Sequence, residues 1–340
     1  MGTRLVKFAV ALAVALLLLV VAAPGFFGIA GQTPFAQLVS FRAATAVAAV
    51  AGAVVLVVVA VLVEPVRRLA LVIAALGVAF ALVLGGLQAV RGDDAAPPRA
   101  HRLGDLRVLS WNLLHDGVPA ETIATLAAEN AVDALALLEV SPERAQEVSD
   151  ALSAAGRPMI LHQVPGADAN DGTALLLAPT LGGYSVDAAS TPTATNASLV
   201  ARPDGPGRPV LAAVHTTAPL PALTTEWRSD LARLADLCTA EDDLVVLGDL
   251  NSTLDHWSAL PGDADLGGCT DAGALANAAA SGTWPTSLPS GLAAPIDHVL
   301  FSGRWDVSGF EVLTGQDDAG SDHRPVLAQL SVRGMVKESS

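Results

Sequence analysis

The sequence predicts a protein in two parts: a membrane segment of three apolar helices, then an α/β domain on a mixed or antiparallel sheet system. Three observations predict it. Uncharged apolar runs fill residues 8–23, 43–63 and 69–90. Charge is uneven, with three acidic and seven basic residues in 1–100 against 31 acidic and 12 basic in 101–340, a net charge of −19 for the second part. Beyond residue 100, short apolar stretches alternate with amphipathic ones, and polar residues gather at the ends of the apolar stretches.

Roughly 20 apolar residues cross a bilayer, and the runs at 43–63 and 69–90 have that length. The first run continues past Pro24 into "FFGIA" and is read as a span over about 8–28. Arg4 and Lys7 ahead of a stretch ending in "VAAPG" also fit a secretory signal. A retained helix is the expectation, because no polar cleavage region interrupts the run. Orientation follows the cationic residues. Arg4 and Lys7 precede the first span, and Arg67 and Arg68 occupy the turn between the second and third. Both places are expected on the cytoplasmic side, so the C-terminal domain is expected outside a multi-pass cell-membrane protein whose partner is the lipid bilayer. Arg91, Arg99 and Arg102 weigh weakly against this, with Asp93 and Asp94 among them. Cleavage of the first segment would leave two spans and the same outside domain. The spans carry no buried charge, which argues against a transporter. Cys238 and Cys269 are the only cysteines. An oxidising compartment permits a disulfide between them, and two buried thiols are the other reading.

Residues 91–102, "RGDDAAPPRAHR", read as a linker between a membrane anchor (1–90) and a domain (103–333), with a tail at 334–340. The domain opens on "LRVLSWN" (106–112), a strand ending in Asn112. Pro119 suits a first helical turn, with Ile123, Leu126 and Ala127 as an apolar stripe. "ALALLEV" (134–140) is a buried strand with Glu139 near its end, and 141–156 is a helix with a Ser141 cap and a Gly156 stop. "TALLLAP" and "ASLVARP" read as strands, and "RPVLAAVH" (208–215) as a strand ending in His215. "TTEWRSDLARLADLCT" is an amphipathic helix. "DLVVLGDLN" (243–251) is a strand ending in Asp249 and Asn251, "PIDHVLF" (295–301) opens on Asp297, and the last strand follows Asp322 and His323.

Four strands thus carry polar residues at the C-terminal end and two just before the N-terminal end. Antiparallel neighbours bring one strand's end beside the next one's start, so a single rim could gather them all. Side chains alternate along extended chain, so Asp322 and His323 are expected to face apart. Asp297 is then the candidate to orient His323, and Asp322 is left to hold a cation or its water. A carboxylate beside an imidazole favours the protonated ring, which suits phosphate binding or protonation of a leaving oxygen.

In this order, "SWN" at 110–112, "LLEV" at 137–140, "VHTTAP" at 214–219, "VVLGDLNST" at 245–253, "PIDHVL" at 295–300 and "GSDHRPV" at 320–326 resemble the endonuclease/exonuclease/phosphatase superfamily, the deoxyribonuclease-I-like fold. The resemblance implies a four-layer αββα sandwich and a divalent-metal phosphoesterase, using Mg²⁺ or Mn²⁺. It implies Glu139 as metal carboxylate with Asn112 and Asp322, Asp249 as base or water-orienting group, and Asn251 on the phosphoryl oxygen or nucleophile. His323 would contact phosphate with Asp297 behind it, and His215 would be the second imidazole. The reaction implied is in-line water attack on phosphorus. Parts of the pattern depart. Leu114 stands where some members have an acid, no residue in 157–200 matches a Glu that pairs with the first His, and Ala178-Pro179 replaces a Ser-Arg. These departures touch the groove for a long substrate rather than the hydrolytic residues.

Other polar residues read as structural. His298 should face away from Asp297, and His115 and Asp116 fit a solvated turn. His256 lies near the site without a catalytic role, and His162 has no evident partner. Arg324 fits a phosphate contact or a surface salt bridge equally. Trp284-Pro285 fits core packing or a pocket wall. Asn196 and Asn251 open glycosylation sequons, the second discounted because it coincides with the site. A domain at −19 with 12 basic residues is a poor binder of long polyanions. A lipid headgroup or small phosphodiester therefore fits better than nucleic acid, and a non-catalytic binding module is the remaining alternative.

Overall fold

A computed structural model describes residues 2–102, 104–187, 189–257 and 266–334. Residues 335–340 of the expected tail lie outside them. Three helices long and apolar enough to cross a membrane come first: α1 (Gly2–Ala22), α3 (Arg42–Leu62) and α4 (Arg67–Arg91). The short helix α2 (Phe35–Ser40) lies in the connection between the first two.

Helix α1 stops at Ala22 instead of running to 28. Proline has no N–H to donate and disfavours helical backbone in the residue before it. Ala23 accordingly leaves the helix at φ −132°, ψ 55°. The apolar "FFGIA" that follows belongs to a connection lying against the second part of the chain.

The strands are β1 (Leu106–Asn112), β2 (Ala134–Val140), β3 (Ile160–Val164), β4 (Gly172–Leu177), β5 (Tyr184–Val186) and β6 (Leu199–Pro203). They continue with β7 (Val210–His215), β8 (Leu244–Asp249), β9 (Thr270–Asp271), β10 (Asp297–Phe301), β11 (Trp305–Val312) and β12 (Val326–Val332). The main helices among them are α5 (Ala120–Glu129), α6 (Pro142–Ala154) and α7 (Thr224–Ala240). Ser141 caps α6 by accepting from Arg144 N–H, as expected, whereas Pro119 sits at the cap position of α5 rather than inside its first turn.

Two six-stranded sheets form, β11-β12-β1-β2-β4-β3 and β5-β6-β7-β8-β10-β9. Only β1–β2 and β7–β8 pair in parallel among the described strands. Inner strands are apolar on both faces because each face is covered. Val108, Ala136, Leu175, Leu211, Leu247, Val299 and Ala328 fill the space between the sheets. Their neighbours Leu109, Leu135, Leu137 and Leu176 meet Ile123 of α5 and Val148 of α6. On the far side Ala212, Val214, Val246 and Leu300 meet Trp227, Leu231 and Leu234 of α7. Helix, sheet, sheet, helix is the four-layer αββα sandwich.

Cys238 at the end of α7 is bonded to Cys269, ahead of β9. The expected linker is docked: Asp94 N–H donates to Asn277 O, and Ala96 bridges to Phe310.

Candidate active site

The rim is set by register. Asp297, the first residue of β10, stands directly beside Asp249, the last of β8, and His215, the last of β7, stands on the other side of Asp249. Gly248 lets β7 and β8 approach this closely, since a Cβ there would lie 1.8 Å from Val214 O. In the other sheet, Asn112 ends β1 beside Leu138. Glu139 follows at a bulge between Leu138 and Val140, with φ +51°. A bulge redirects the extra side chain, and here it turns Glu139 to the rim, the one residue of β2 that is not buried. Asn251 takes φ +45° in the turn after β8, a conformation that asparagine tolerates better than most residues.

The side chains interlock across the two sheets. Asn112 Nδ2 donates to Glu139 Oε1 at 2.9 Å and to Asp249 Oδ2 at 3.1 Å. Its carbonyl oxygen accepts from Leu114 N–H at 3.0 Å. Asp249 Oδ1 accepts from Asn251 N–H, and Asn251 Nδ2 donates to Thr216 O. His323 Nδ1 meets Asp297 Oδ2 at 2.9 Å, while its Nε2 lies 3.7 Å from Asp249 and 3.9 Å from Asp322. His215 Nε2 lies 3.7 Å from Glu139 and 3.8 Å from Asp249. Its Nδ1 has no hydrogen-bond partner among the described residues, consistent with the Glu missing from 157–200.

Asp322 and His323 do not face apart. Both line one cleft of about 700 Å³. Residues 321–325 precede β12 in irregular backbone, so the alternation of an extended strand does not apply to them. Ser321 Oγ donates to Asn112 O and accepts from His323 N–H, and Trp111 Nε1 donates to His323 O. These bonds fix the segment on the end of β1.

Electrostatics divides the imidazoles. Burial works to lower His323, but the carboxylates of Asp297, Asp249 and Asp322 outweigh it and raise the ring to about 10. Burial and then the charge of His323 push His215 down to about 4. Burial, with Asp297 adding to it, raises Asp249 to about 7 against the pull of His323. Glu139 Oε2, Asp297 Oδ1 and Asp322 Oδ1 are buried without a hydrogen-bond partner among the described residues. Buried carboxylate oxygens left in that state are costly, and hard anionic oxygens are what a divalent cation takes. The residues therefore fit a metal ion. Asp249, Asp297 and His323 also bring ligand atoms within 4.8 Å of one another. Their closeness follows from the His323–Asp297 hydrogen bond, which occupies Nδ1.

Glu139, His215, Asp249, Asn251, Asp322 and His323 all line the cleft, and Asn112 and Asp297 stand behind them through the bonds above. Other residues join the site. His115 does lie in an exposed turn, as expected, yet its Nδ1 lies 3.4 Å from Glu139 and 2.7 Å from Asp171, at the cleft. Trp284 is a wall, donating from Nε1 to Asp322 Oδ2 at 2.8 Å. Arg324 is neither at the surface nor in the cleft. It is 1% exposed, spends its donors on Asp317 and the carbonyls of Gly282, Thr286 and Leu288, and so secures the Trp284 loop. His298 is structural as expected, meeting Asp271 and Ser252 O. Asn196 lines the cleft and donates to Thr216 O, an enclosed place for a glycosylation acceptor. Least foreseen, Thr33, Pro34, Gln37, Ser40 and Phe41 from the connection between α1 and α3 line it as well. The signal was present as "GQTPFAQLVSF", a partly polar interruption too long for a tight turn. A larger cleft of about 870 Å³, lined by Asp133, Arg208 and Trp305, lies at the opposite strand ends and holds none of these groups.

Two stacked sheets that deliver carboxylates, imidazoles and carboxamides to one rim define the deoxyribonuclease-I-like class of hydrolase fold. Residues 109–323 match the Endonuclease/Exonuclease/phosphatase family, and the chain belongs to it. That family hydrolyses phosphoesters and is generally dependent on divalent metal. Similar solved structures include humanized D. rerio TDP2, at 17% identity and TM-score 0.53 over 67% of this chain and 100% of that one. D. rerio TDP2 complexed with single strand DNA product is also 17% identical, with TM-score 0.52 over 67% of this chain and 99% of that one. An endonuclease/exonuclease/phosphatase from Beutenbergia cavernae is 19% identical, with TM-score 0.49 over 67% and 72%. No curated protein matches the chain.

Proposed function

We propose that the chain is a membrane-anchored phosphoesterase, dependent on Mg²⁺ or Mn²⁺, that hydrolyses its substrate by in-line water attack. Residues 1–90 would anchor it and 103–333 would form the catalytic domain on the outer face of the cell membrane. The observation that carries this reading is the meeting of Glu139, Asp249, Asn251, Asp322 and His323, from both sheets, in one cleft.

Glu139 and Asp322, with the second lone pair of the Asn112 carbonyl, would hold the cation. When bound, it would neutralise charge on the phosphoryl oxygens. Asp249, raised to about 7, is tuned to take a proton from water near neutral pH. Asn251 limits how that water can sit beside it. His323, kept cationic by its carboxylates and held by Asp297 at Nδ1, turns Nε2–H to the phosphate and stabilises the negative charge that grows there. His215, neutral at physiological pH, offers a polar contact without adding charge.

The test is turnover of bis-nitrophenyl phosphate by the full chain with Mg²⁺, Mn²⁺ or chelator. Turnover is expected only with metal, and Asp249→Asn and His323→Ala are each expected to lower it by about 10²-fold or more while circular dichroism stays native. Activity unchanged in both variants refutes the assignment.

A further inference from the structure

The connection between α1 and α3 is bound to the catalytic domain at several points. His256 Nε2 contacts Ala36 O at 3.0 Å, Gln37 Nε2 donates to Pro219 O, and Ala36 packs in the core beneath Trp227 and Leu231. Arg42, the first residue of α3, holds both oxygens of Asp255 at 2.7 Å, and Arg91, the last of α4, reaches the same carboxylate at 2.8 Å. The ends of two membrane-length helices are thereby fixed to the domain beside the cleft. Phe41, one residue before α3, meets the Trp284 ring at 5.8 Å, and Trp284 meets His323 at 6.4 Å. An aromatic path runs from the end of a membrane helix to the phosphate-facing imidazole.

The rest of the mouth has the same character. Leu114 and Leu220 line the cleft and stay 40% and 55% exposed. They give an apolar chain lying beside a bound phosphate a surface that water otherwise covers. No Lys or Arg lines the cleft among the described residues, and its candidate cations are imidazoles. A long nucleic acid needs a row of cationic contacts for its phosphates; one phosphate with an apolar chain does not.

We infer that the α1–α3 connection is a wall of the substrate site, and that the substrate is a membrane lipid phosphoester. Its phosphate lies at His323 and Glu139, and its chain passes Trp284, Phe41 and Leu220 to the bilayer that holds the anchor. The inference rests on the phosphoesterase reading and names the substrate class for the same site. Water cleaves the P–O bond, leaving a phosphate and an alcohol, so no further reactant is required.

Methyl, butyl and octyl p-nitrophenyl phosphates separate the two claims, because all release p-nitrophenol whatever the natural headgroup. The full chain is assayed in detergent with Mn²⁺. Burial of a methylene is worth up to about fourfold, so kcat/KM is expected to rise at least ~10-fold from methyl to octyl. In Phe41→Ser and Leu220→Ser the octyl-to-methyl ratio is expected to collapse towards unity, and partition into micelles is common to all three proteins. In phosphatidylcholine proteoliposomes, octadecyl p-nitrophenyl phosphate in the same vesicles is expected to be cut faster than in separate vesicles. No turnover of any ester overturns the phosphoesterase reading. Turnover with no chain preference, or a preference unmoved by both substitutions, overturns this inference alone. Equal rates in same and separate vesicles would assign the chain preference to a soluble amphiphile and overturn the membrane source.

Discussion

At the scale of single residues, surroundings decide which buried imidazole carries charge. His323 faces three carboxylates and is raised, whereas His215 and His256 are each lowered to about 4, chiefly by burial. His256 accepts from Thr253 N–H at Nδ1 and turns Nε2 to Ala36 O. Only the neutral ring with its proton on Nε2 makes both contacts. Asp255 favours the charged form while Arg42 and His298 oppose it. The unfolded chain, at the ordinary 6.5, binds the proton that the folded chain refuses. The stability is therefore present above about pH 6.5 and lost as pH falls through 4, a difference of about 3 kcal/mol. His256→Gln, read by thermal melts of the full chain from pH 7 to 4, is expected to decline less steeply than the wild type, against a background in which His215 titrates in the same direction and Asp249, raised to about 7, in the opposite one. An unaltered decline would remove His256 from the account. The Asp297–His323 pair was legible in sequence because both residues stand beside apolar strand interiors. His115, Asp171 and Arg324 were not, because all three sit in irregular backbone, where no periodicity marks the direction of a side chain.

At the scale of elements, what the sequence revealed follows burial. Inner strands β1, β2, β4, β7, β8, β10 and β12 are buried almost throughout and stand out as largely apolar runs. Edge strands β3, β5 and β11 do not, since an edge is half wet and its residues are mixed: β3 has no buried residue and β5 has one. The bulge that aims Glu139 was equally hidden, because its φ is imposed by pairing with β4 and not by local composition. The disulfide was left open for a related reason, as sequence gives a separation but no distance. It closes 31 residues between α7 and β9 and constrains the unfolded chain accordingly. Its loss is expected to cost about 3–4 kcal/mol, a fall in melting temperature of roughly 10 °C. Melts of the full chain with and without reductant, and of Cys238→Ser, measure it; coincident melts would show that the bond contributes nothing to the fold.

At the scale of the whole molecule, the apolar helices and the domain share one ion-pair node, and the ends of those helices bear on orientation. Lys7 Nζ donates to Pro65 O at 2.7 Å, which puts the start of α1 and the turn before α4 at one end of the bundle. Arg4, Lys7, Arg67 and Arg68 are thus gathered there, away from the domain. At the domain end, Arg42 and Arg91 are paired with Asp255, whose carboxyl is held at about 2 because the two guanidinium groups outweigh its burial. The gathering of these four cations at one end is the arrangement expected of a cytoplasmic end opposite the domain. A disulfide in the domain calls for the same side, since cytosolic thiols are kept reduced. A β-lactamase fused after Ser340 is therefore expected to protect cells from ampicillin, and a green fluorescent protein exported by the same route is expected to stay dark. Bright fluorescence with no protection would put Cys238 and Cys269 in a reducing compartment and turn the cleft to the inner leaflet. The same lipid chemistry would then have to be sought on that face of the membrane.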